Sequence, residues 1–491
     1  MTSPSETRAG ADGAGHPDSA APTLTVVGAG PAGLAAAVQA GESGMAVTIV
    51  DAGARIGGQY WRHGPAGLSA DADLHHDAGV FADLAARFDH LVAAGRVVHL
   101  PLHTVWTVAT GADGITVHAL DRTDPAHPVE VEVAGERLVL AVGAYDRQVP
   151  FPGWDLPGVM TVGGAQSLLK GSGVVVGPRV LVAGTGPFLL PVATGLAGRG
   201  ATVVGVHEAG SPARWLRHLP ALGAQRAKLG EAAGYAVALA RHRVPVVNRS
   251  VVLAAHGTDR LTGVTVARVD RAGRVRPGTG LRIAADVLAV GHGFTAQSEL
   301  PLAVGCALHT TADQTLAVTT DDSQATDDPR VHAAGETTGV GGAQLAVVEG
   351  TIAGAAAARA AGLLPAGADQ LAGLAVRRDR LRRFAAAMHA VYPVPPAWLD
   401  TLRPDTVVCR CEEVTVAEID DAIGLGARDT RTAKLLSRSG MGWCQGRECA
   451  YATACLVASR TGRAPDLASG AARPVATPVP LGVLAAGTPP P

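Results

Sequence analysis

The chain has 491 residues, and its 41 lysines and arginines nearly balance 43 aspartates and glutamates, giving a formal net charge of −2. Nucleic-acid-binding proteins need basic surfaces that neutralise phosphates, so this balance argues against that class. With 47% hydrophobic and 17% charged residues, the chain is too apolar to be disordered and long enough for several folded domains.

The ends of the chain and its cysteines indicate where the protein works. Residues 1–22 carry Glu6, Asp12 and Asp18 and no apolar segment, so they predict a disordered tail rather than a secretory signal. No uncharged apolar run reaches the roughly 18 residues that predict a membrane-spanning helix. Six cysteines are too few for a disulfide scaffold. We therefore expect a cytoplasmic protein without a transmembrane segment.

Residues 23–51 predict a strand, a helix and a second strand that together bind a dinucleotide. Gly28, Gly30 and Gly33 form a G-x-G-x-x-G motif between the first strand and the helix. The first glycine permits a tight turn, the second lets the backbone approach a pyrophosphate, and the third lets helix and strand pack closely. Asp51 ends the second strand, where it is expected to accept hydrogen bonds from ribose hydroxyls.

The segment after this unit predicts a helix followed by a small antiparallel meander. Alternating apolar and polar residues mark its three short strands, and the chain then returns to a parallel strand. The helix is expected near 78–94, the meander strands near 103–108, 115–120 and 129–133, and the parallel strand ends in LAVGA at 140–144.

A second strand–helix–strand pattern starts at Arg179 and keeps two of the three glycines, Gly184 and Gly186. Leu189 stands where the third glycine would be, which compromises close packing of helix and strand. Glu208 ends the next strand, where an acid favours an unphosphorylated ribose. The site is thus expected to bind NAD or another adenine nucleotide rather than NADP, or to be vestigial.

Four cysteines cluster late in the chain, Cys409 and Cys411 as C-x-C and Cys444 and Cys449 as C-x4-C. Four thiolates suit either zinc or a [2Fe–2S] cluster. Zinc ribbons favour two C-x-x-C knuckles, so this spacing favours iron–sulfur and leaves zinc open. No cysteine pair follows the first glycine motif or lies in the second unit, which argues against a disulfide reductase.

Three remote segments resemble the FAD-binding two-dinucleotide-domain flavoproteins: AGARIGGQYWR at 52–62, LAVGA at 140–144 and VHAAGETTGVGGAQLA at 331–346. The resemblance implies an α/β fold in which a second Rossmann-like domain interrupts the FAD-binding domain. It also implies that the late segment closes over the ribityl chain and flavin. Glu336 stands where these proteins usually have aspartate, so its extra methylene changes the geometry of the ribityl contact. The cofactor contacts implied outside the first glycine motif are Gly58, Gln59, Gly143, Gly335 and Glu336.

The segments around the cysteines, VVCRCEEVT at 407–415 and KLLSRSGMGWCQGREC at 434–449, resemble the bacterioferritin-associated-ferredoxin type of [2Fe–2S] domain. We therefore predict an α/β flavoprotein with a small α-rich [2Fe–2S] domain at its C-terminal end. The predicted units are an FAD-binding domain in two parts (23–170 and 281–362), an inserted nucleotide-binding domain (171–280), a helical linker (363–400), the [2Fe–2S] domain (401–462) and a second disordered tail (463–491).

The passage 138–170, together with the fused cysteine domain, resembles the A (alpha) subunits of opine oxidase, hydrogen cyanide synthase and related proline and hydroxyproline dehydrogenases. That resemblance implies an electron-transfer subunit of a hetero-oligomeric amine or amino-acid dehydrogenase or oxidase that acts on a C–N bond. Its partner would be an FAD subunit of the D-amino-acid or sarcosine oxidase type, which binds most of the small amino or imino acid substrate.

Two other functions stay open at this point. One is a self-sufficient NADH-dependent reductase of the ferredoxin type, which needs a working second dinucleotide site. The other is a non-catalytic redox sensor or iron-handling module. No side chain is assigned a catalytic role, because flavin and cluster supply the redox chemistry in a cofactor enzyme of this kind.

Overall fold

The computed structural model of the chain describes residues 21–65, 74–112, 114–471, 473 and 475–486. Nearly all of the predicted tail over 1–22 lies outside the described residues. Within them, no helix combines the length and apolar character needed to cross a membrane.

The elements that begin before residue 160 are β1 (Thr23–Val27), α1 (Pro31–Glu42), β2 (Ala46–Val50), α2 (Ala78–Ala93), β3 (Val97–Leu100), β4 (His103–Gly111), β5 (Gly114–Asp121), β6 (Val129–Gly135), β7 (Arg137–Leu140), β8 (Ala144–Asp146) and β9 (Val159–Thr161). Next come α3 (Val162–Ser172), β10 (Arg179–Gly184), α4 (Leu189–Gly198), β11 (Thr202–Glu208), a 3-10 helix (Pro212–Arg217), α5 (Leu219–Gly223), α6 (Arg226–Arg241), β12 (Val246–Asn248), β13 (Ser250–Gly257), β14 (Leu261–Arg268), β15 (Leu281–Ala284) and β16 (Val287–Gly291).

The second half continues with β17 (Phe294–Ala296), α7 (Glu299–Val304), β18 (Leu308–Thr310), β19 (Leu316–Val318), β20 (Val331–Ala333), a 3-10 helix (Gly335–Thr338), α8 (Ala343–Ala360), α9 (Ala368–Leu371), α10 (Leu374–Val391) and α11 (Trp398–Thr401). The last elements are β21 (Val407–Cys409), β22 (Val414–Thr415), α12 (Val416–Gly424), α13 (Thr430–Ser437), α14 (Ala450–Thr461), α15 (Ala468–Ala471) and α16 (Leu481–Ala486).

The first domain is built on a parallel sheet with the strand order β20–β7–β1–β2–β3. Its strands are mostly apolar, and all but the edge strand β3 are largely buried, as in parallel sheets that are covered on both faces. Helices α1 and α8 pack closely, because a Cβ on Gly350 of α8 would overlap the carbonyl oxygen of Ala32. Strands β4, β5 and β6 form the antiparallel meander that the alternation predicted, which confirms it.

The second domain contains a parallel sheet with the order β12–β11–β10–β16–β9. Two of its strands, β9 and β16, lie outside the predicted limits 171–280, so those limits are too narrow. The strands are only three and five residues long, and short apolar runs do not reveal which of two neighbouring sheets they join. Strands β13, β14 and β15 form an antiparallel sheet beside it.

The C-terminal unit consists of the β21–β22 hairpin and a few short helices, which agrees with the predicted α-rich domain. The prediction of a disordered tail over 463–491 is wrong for the described part of that segment. Ala471 and Ala476 are buried, and the backbone N–H of Ala476 donates to the carbonyl of Trp106 at 2.7 Å. Apolar tail residues therefore pack against the meander.

Candidate cofactor sites

The first glycine loop has the geometry of a pyrophosphate-binding turn. Gly28 has φ +101°, and a Cβ on Gly33 would overlap the carbonyl oxygen of Gly28. Nothing lies within 4 Å of a Cβ built on Gly30, so the space on that side of its backbone is open. Helix α1 begins at Pro31 without a side-chain cap. The free backbone N–H groups and the positive end of the helix can therefore receive an anion.

Asp51 and Gly58 lie beside this loop. Burial raises the pKa of Asp51, while hydrogen bonds from the backbone of Ala29, Gly53 and Ala52 oppose that rise. Gly58 has φ +59°, and its Cβ would lie 2.8 Å from the Cα of Gly30, so a second stretch of backbone covers the glycine loop. The predicted contact residue Gln59 is exposed, and its side chain accepts a hydrogen bond from Arg62 at 3.0 Å.

The late segment lies beside this site. Gly335 has φ +79°, and its Cβ would lie 2.8 Å from the Cβ of Ala32 in α1. Gly143 has φ +81°, and its N–H donates to the hydroxyl of Thr337 at 3.3 Å. Three pieces that are remote in sequence thus lie together around the N-terminus of α1.

The carboxylate of Glu336 holds the turn before α8 instead of standing free. It accepts hydrogen bonds from the backbone N–H groups of Gly341 at 3.1 Å and Gly342 at 2.8 Å. Burial raises the pKa of Glu336 to about 7, although these two hydrogen bonds oppose the rise. A ribityl hydroxyl would therefore have to share this carboxylate with the backbone.

Two residues that support the late segment were missed by the sequence analysis, Glu349 on α8 and Arg382 on α10. Glu349 is fully buried and accepts hydrogen bonds from the N–H of Gly335 at 3.0 Å and the hydroxyl of Thr338 at 2.9 Å. Arg382 pairs with Glu349 at 2.5 Å and donates to the carbonyl of Gly339 at 2.8 Å. An acid within the apolar run AQLAVVEGTIAG was the only signal in the sequence.

The second glycine loop is closed by its own acid. A Cβ on Gly184 (φ +135°) would overlap the carbonyl oxygen of Gly291. The buried carboxylate of Glu208 accepts from the N–H of Gly186 at 2.9 Å, the hydroxyl of Thr185 at 3.0 Å and the N–H of Gly210 at 2.6 Å. Burial raises its pKa, and these hydrogen bonds lower it. The N–H of Gly186, which would meet a phosphate, is therefore already bound.

The crevice at the carboxyl ends of β10 and β16 is filled by the linker. Between these neighbouring strands the strand order of the second sheet reverses, and dinucleotides usually bind at such a topological switch point. Besides Gly184 and His292, it is lined by Pro395, Ala397 and Trp398, and the remaining cavity is about 20 Å³. Ligand pockets usually measure about 300 Å³ or more. The cavity left between these residues is therefore much smaller than a usual ligand pocket.

The four late cysteines form two pairs that cross the two sequence motifs. Cys409 lies beside Cys449, and the interaction between the two side chains holds the pKa of Cys409 below its usual value. Burial raises the pKa of Cys411, and the neighbouring Cys444 side chain adds to that rise. A Cβ on Gly442 would overlap Cys411, so the loop lies close against the thiols.

The spacing between the pairs matters for metal binding. A metal site needs at least three His, Cys, Asp or Glu side chains whose ligand atoms lie close together. In the described part of the chain, only one such group has all its ligand atoms within 4.8 Å of one another, and it consists of His118, Glu130 and Glu132. No three of the four cysteine sulfurs therefore meet that limit. The trio itself sits on the meander, where His118 pairs with the two glutamates at 3.1 and 3.7 Å.

A polar bridge joins the cysteine loop to the segment of Gly143. The Nε of Arg447 donates to the hydroxyl of Tyr145 at 2.6 Å, and its Nη1 donates to the carbonyl of Cys444 at 3.2 Å. Tyr145 donates to Gln297 at 3.0 Å, whose N–H donates to the carbonyl of Gly143 at 3.0 Å. Burial raises the pKa of Tyr145, so the phenol stays protonated.

Comparisons with known proteins agree with this architecture. The family model described as pyridine nucleotide-disulphide oxidoreductase matches residues 22–362, and the sarcosine oxidase A3 domain matches residues 404–488. The chain is 32% identical over 428 residues to the HcnB subunit of hydrogen cyanide synthase from Pseudomonas aeruginosa, covering 86% of this chain and 90% of that protein. It is 34% identical over 450 residues to the opine oxidase A subunit of Agrobacterium tumefaciens, covering 87% and 84%.

Among solved structures, L-proline dehydrogenase from P. horikoshii has a similar fold, with a TM-score of 0.65 and 19% identity over 95% of this chain and 81% of that chain. The predicted α/β fold with Rossmann-like nucleotide-binding domains is thereby confirmed. The matched A3 region runs past the predicted boundary at 462, in agreement with the folded tail. The chain belongs to the pyridine nucleotide-disulphide oxidoreductase family, is an FAD-binding oxidoreductase, and carries a sarcosine oxidase A3 domain.

Proposed function

We propose that this chain is the FAD- and [2Fe–2S]-containing electron-transfer subunit of a hetero-oligomeric dehydrogenase or oxidase that acts on a C–N bond of an amine or amino acid. The observation that carries the proposal is the bridge from Cys444 through Arg447 and Tyr145 to the segment of Gly143. It fixes the cysteine loop against the domain that binds FAD.

The residues around the first glycine loop fit FAD. The open backbone at Gly30 and the uncapped N-terminus of α1 would hold the pyrophosphate, and Asp51 would accept from ribose hydroxyls. Gly143 and the Gly335–Glu336 turn would lie along the ribityl chain and flavin. When bound, the flavin supplies two-electron transfer and a cluster supplies one-electron transfer.

The cysteine geometry favours a binuclear cluster over zinc. One tetrahedral zinc with Zn–S bonds of about 2.3 Å holds all four sulfurs within about 4 Å of one another. A [2Fe–2S] cluster takes two thiolates on each iron and needs no such compact set. Cys409 with Cys449 and Cys411 with Cys444 supply two such pairs.

A partner subunit follows from the relatives, which are named as subunits of opine oxidase and hydrogen cyanide synthase. We infer a cytoplasmic complex with an FAD subunit of the D-amino-acid or sarcosine oxidase type, which binds the amino or imino acid. The alternative of a self-sufficient NADH-dependent reductase is disfavoured because Glu208 and Trp398 occupy the second nucleotide site. Membership of an oxidoreductase family disfavours a non-catalytic sensor.

The test is the visible and electron paramagnetic resonance spectrum of the anaerobically purified chain, with iron, sulfide and zinc analysis. We expect flavin bands with a broad iron–sulfur shoulder that do not bleach on addition of NADH. Bleaching should require the co-expressed flavoprotein partner and an amino-acid substrate. Bleaching by NADH alone would favour the self-sufficient reductase, and stoichiometric zinc in place of iron would contradict the cluster assignment.

A further inference from the structure

The C-terminal tail packs against the loop that carries the last two cysteines, residues 439–449. A Cβ built on Gly446, inside the C-x4-C motif, would lie 3.2 Å from the Nη2 atom of Arg473 in the tail. Arg447 of the same loop donates a hydrogen bond to the carbonyl of Ala476, farther along the tail. The guanidinium of Arg473 is therefore held beside the cysteine loop.

The Arg473 guanidinium has more buried donors than acceptors. Its Nη2 donates to the carbonyl of Gly470 at 3.1 Å, but its Nε and Nη1 atoms are buried and have no hydrogen-bond partner among the described residues. Burial lowers the pKa of this guanidinium, and the charges of Glu299 and Cys444 oppose that fall. Since a buried cationic group without acceptors is unfavourable, these donors indicate an acceptor that binds beside the loop.

The acids near this loop do not supply that acceptor. Glu299 lies 3.7 Å from the Nε of Arg447, and no acid that the structure describes forms an ion pair with Arg473. Lys434 brings a further cation to the same place. Burial lowers its pKa, Arg473 lowers it further, and the charge of Cys449 opposes the fall.

The cysteine sulfurs lie on the other side of the loop glycines from Arg473. A Cβ on Gly440 would lie 3.5 Å from the Cα of Gly446 and 3.8 Å from the sulfur of Cys449. The N–H of Gly440 donates to the sulfur of Cys409 at 3.4 Å. Donors from the loop backbone and from the tail thus lie around the same cysteines.

We infer that Arg473 is a hydrogen-bonding partner of the proposed [2Fe–2S] cluster, donating to its sulfur atoms and raising its reduction potential. This inference rests on the proposed function. Hydrogen bonds to the sulfurs and nearby charge are among the factors that set the potential of such clusters. Reduction makes the group more negative, so a fixed cation stabilises the reduced form more than the oxidised form. A raised potential favours electron flow from the flavin toward the cysteine loop.

The experiment is a redox titration of the full-length, cofactor-loaded protein. Electron paramagnetic resonance measures the reduced cluster, and iron and sulfide are assayed in parallel. Arg473→Met removes the charge and the donors. We expect its equilibrium constant for cluster reduction to fall by about 10-fold, which corresponds to about 59 mV for a one-electron couple. Arg473→Lys keeps the charge and should retain most of the wild-type potential.

The matched control is Arg428→Met, which removes an arginine of the same domain. Arg428 is exposed and donates to the carbonyls of Ile423 and Ala427. Because water and salt screen exposed charges, its loss should leave the potential unchanged.

A wild-type potential in Arg473→Met, the same fall in Arg428→Met, or an equal fall in Arg473→Lys would overturn the inference. If Arg473→Met binds too little iron to be titrated, Arg473→Gln takes its place with the same expectation. Intact protein that contains no iron would refute the proposed function as well, whereas iron with an unchanged potential in the variants refutes only the role of Arg473.

Discussion

The ion pair between Glu349 and Arg382 gives the sharpest prediction for the FAD-binding domain. Arg382→Met leaves the fully buried Glu349 carboxylate without its counter-charge, although the hydrogen bonds from Gly335 and Thr338 remain. Breaking a buried pair by removing one partner typically costs about 3–5 kcal/mol. Since 29% of the Arg382 side chain is exposed, water can solvate the site and compensate for part of the lost positive charge. We therefore expect a loss of unfolding free energy at the lower end of that range.

The assay is urea unfolding of Arg382→Met, Glu349→Gln and the double variant, followed by flavin fluorescence. Removing both charges avoids an unpaired buried carboxylate, so the double variant should be more stable than Arg382→Met. The loss in Arg382→Met should also depend on pH. Burial raises the pKa of Glu349 and Arg382 opposes that rise, so the variant's folded state binds this proton more tightly than its unfolded state does.

Stability then falls as pH rises between the unfolded and folded pKa values of Glu349. The variant should therefore lose more stability under mildly alkaline than under mildly acidic conditions. A double variant no more stable than Arg382→Met, or a loss in Arg382→Met that does not vary with pH, would refute this reasoning.

Three further predictions concern the sites themselves. Gly33→Val should yield folded protein that purifies largely without FAD, measured as the ratio of flavin to protein, because the side chain overlaps the Gly28 carbonyl. Glu336→Gln should flatten the pH dependence of the thermal midpoint between about pH 4.5 and 7, because its pKa is raised to about 7 and ionisation costs stability across that window. Arg447→Gln should keep both cofactors but slow electron exchange between them in stopped-flow reduction, since it removes the donors to Tyr145 and Cys444. Its control is Arg438→Gln, which removes an exposed arginine that pairs with Glu412, the residue after Cys411.

Each of these has a clear contrary result. Full flavin content in Gly33→Val would mean that the loop and helix can separate without loss of the site. An unchanged pH profile in Glu336→Gln would place the titration on another group. Equal slowing in the Arg447 and Arg438 variants would show that the charge near the cysteines matters and the bridge does not.

The parts of the fold predicted from sequence are those set by local sterics and alternation. The roles of Gly28 and Gly33 follow from backbone contacts within one strand–turn–helix unit, and the meander follows from period-two patterning. The four cysteines were predicted to cluster, but the pairing of Cys409 with Cys449 crosses the two motifs. Spacing along the chain carries no information about that choice.

What could not be predicted depends on contacts between residues far apart in the chain. Trp398 of the linker fills the second crevice. The tail packs against the meander because the N–H of Ala476 donates to the carbonyl of Trp106. Neither segment has a pattern of its own that distinguishes it from an exposed connection. Glu208 was correctly placed at the end of β11, yet its bond to Gly186 became visible only with the loop in three dimensions.

The filled crevice also limits how this chain could be re-engineered. Replacing Leu189 with glycine would repair the sequence motif without creating a coenzyme site, because Trp398 and the Glu208 carboxylate would still occupy the space. Withdrawing the segment of Pro395 and Trp398 from the crevice would disturb α10, which precedes this segment directly and carries Arg382. A design that adds NADH dependence would therefore have to rebuild the support of the flavin site at the same time.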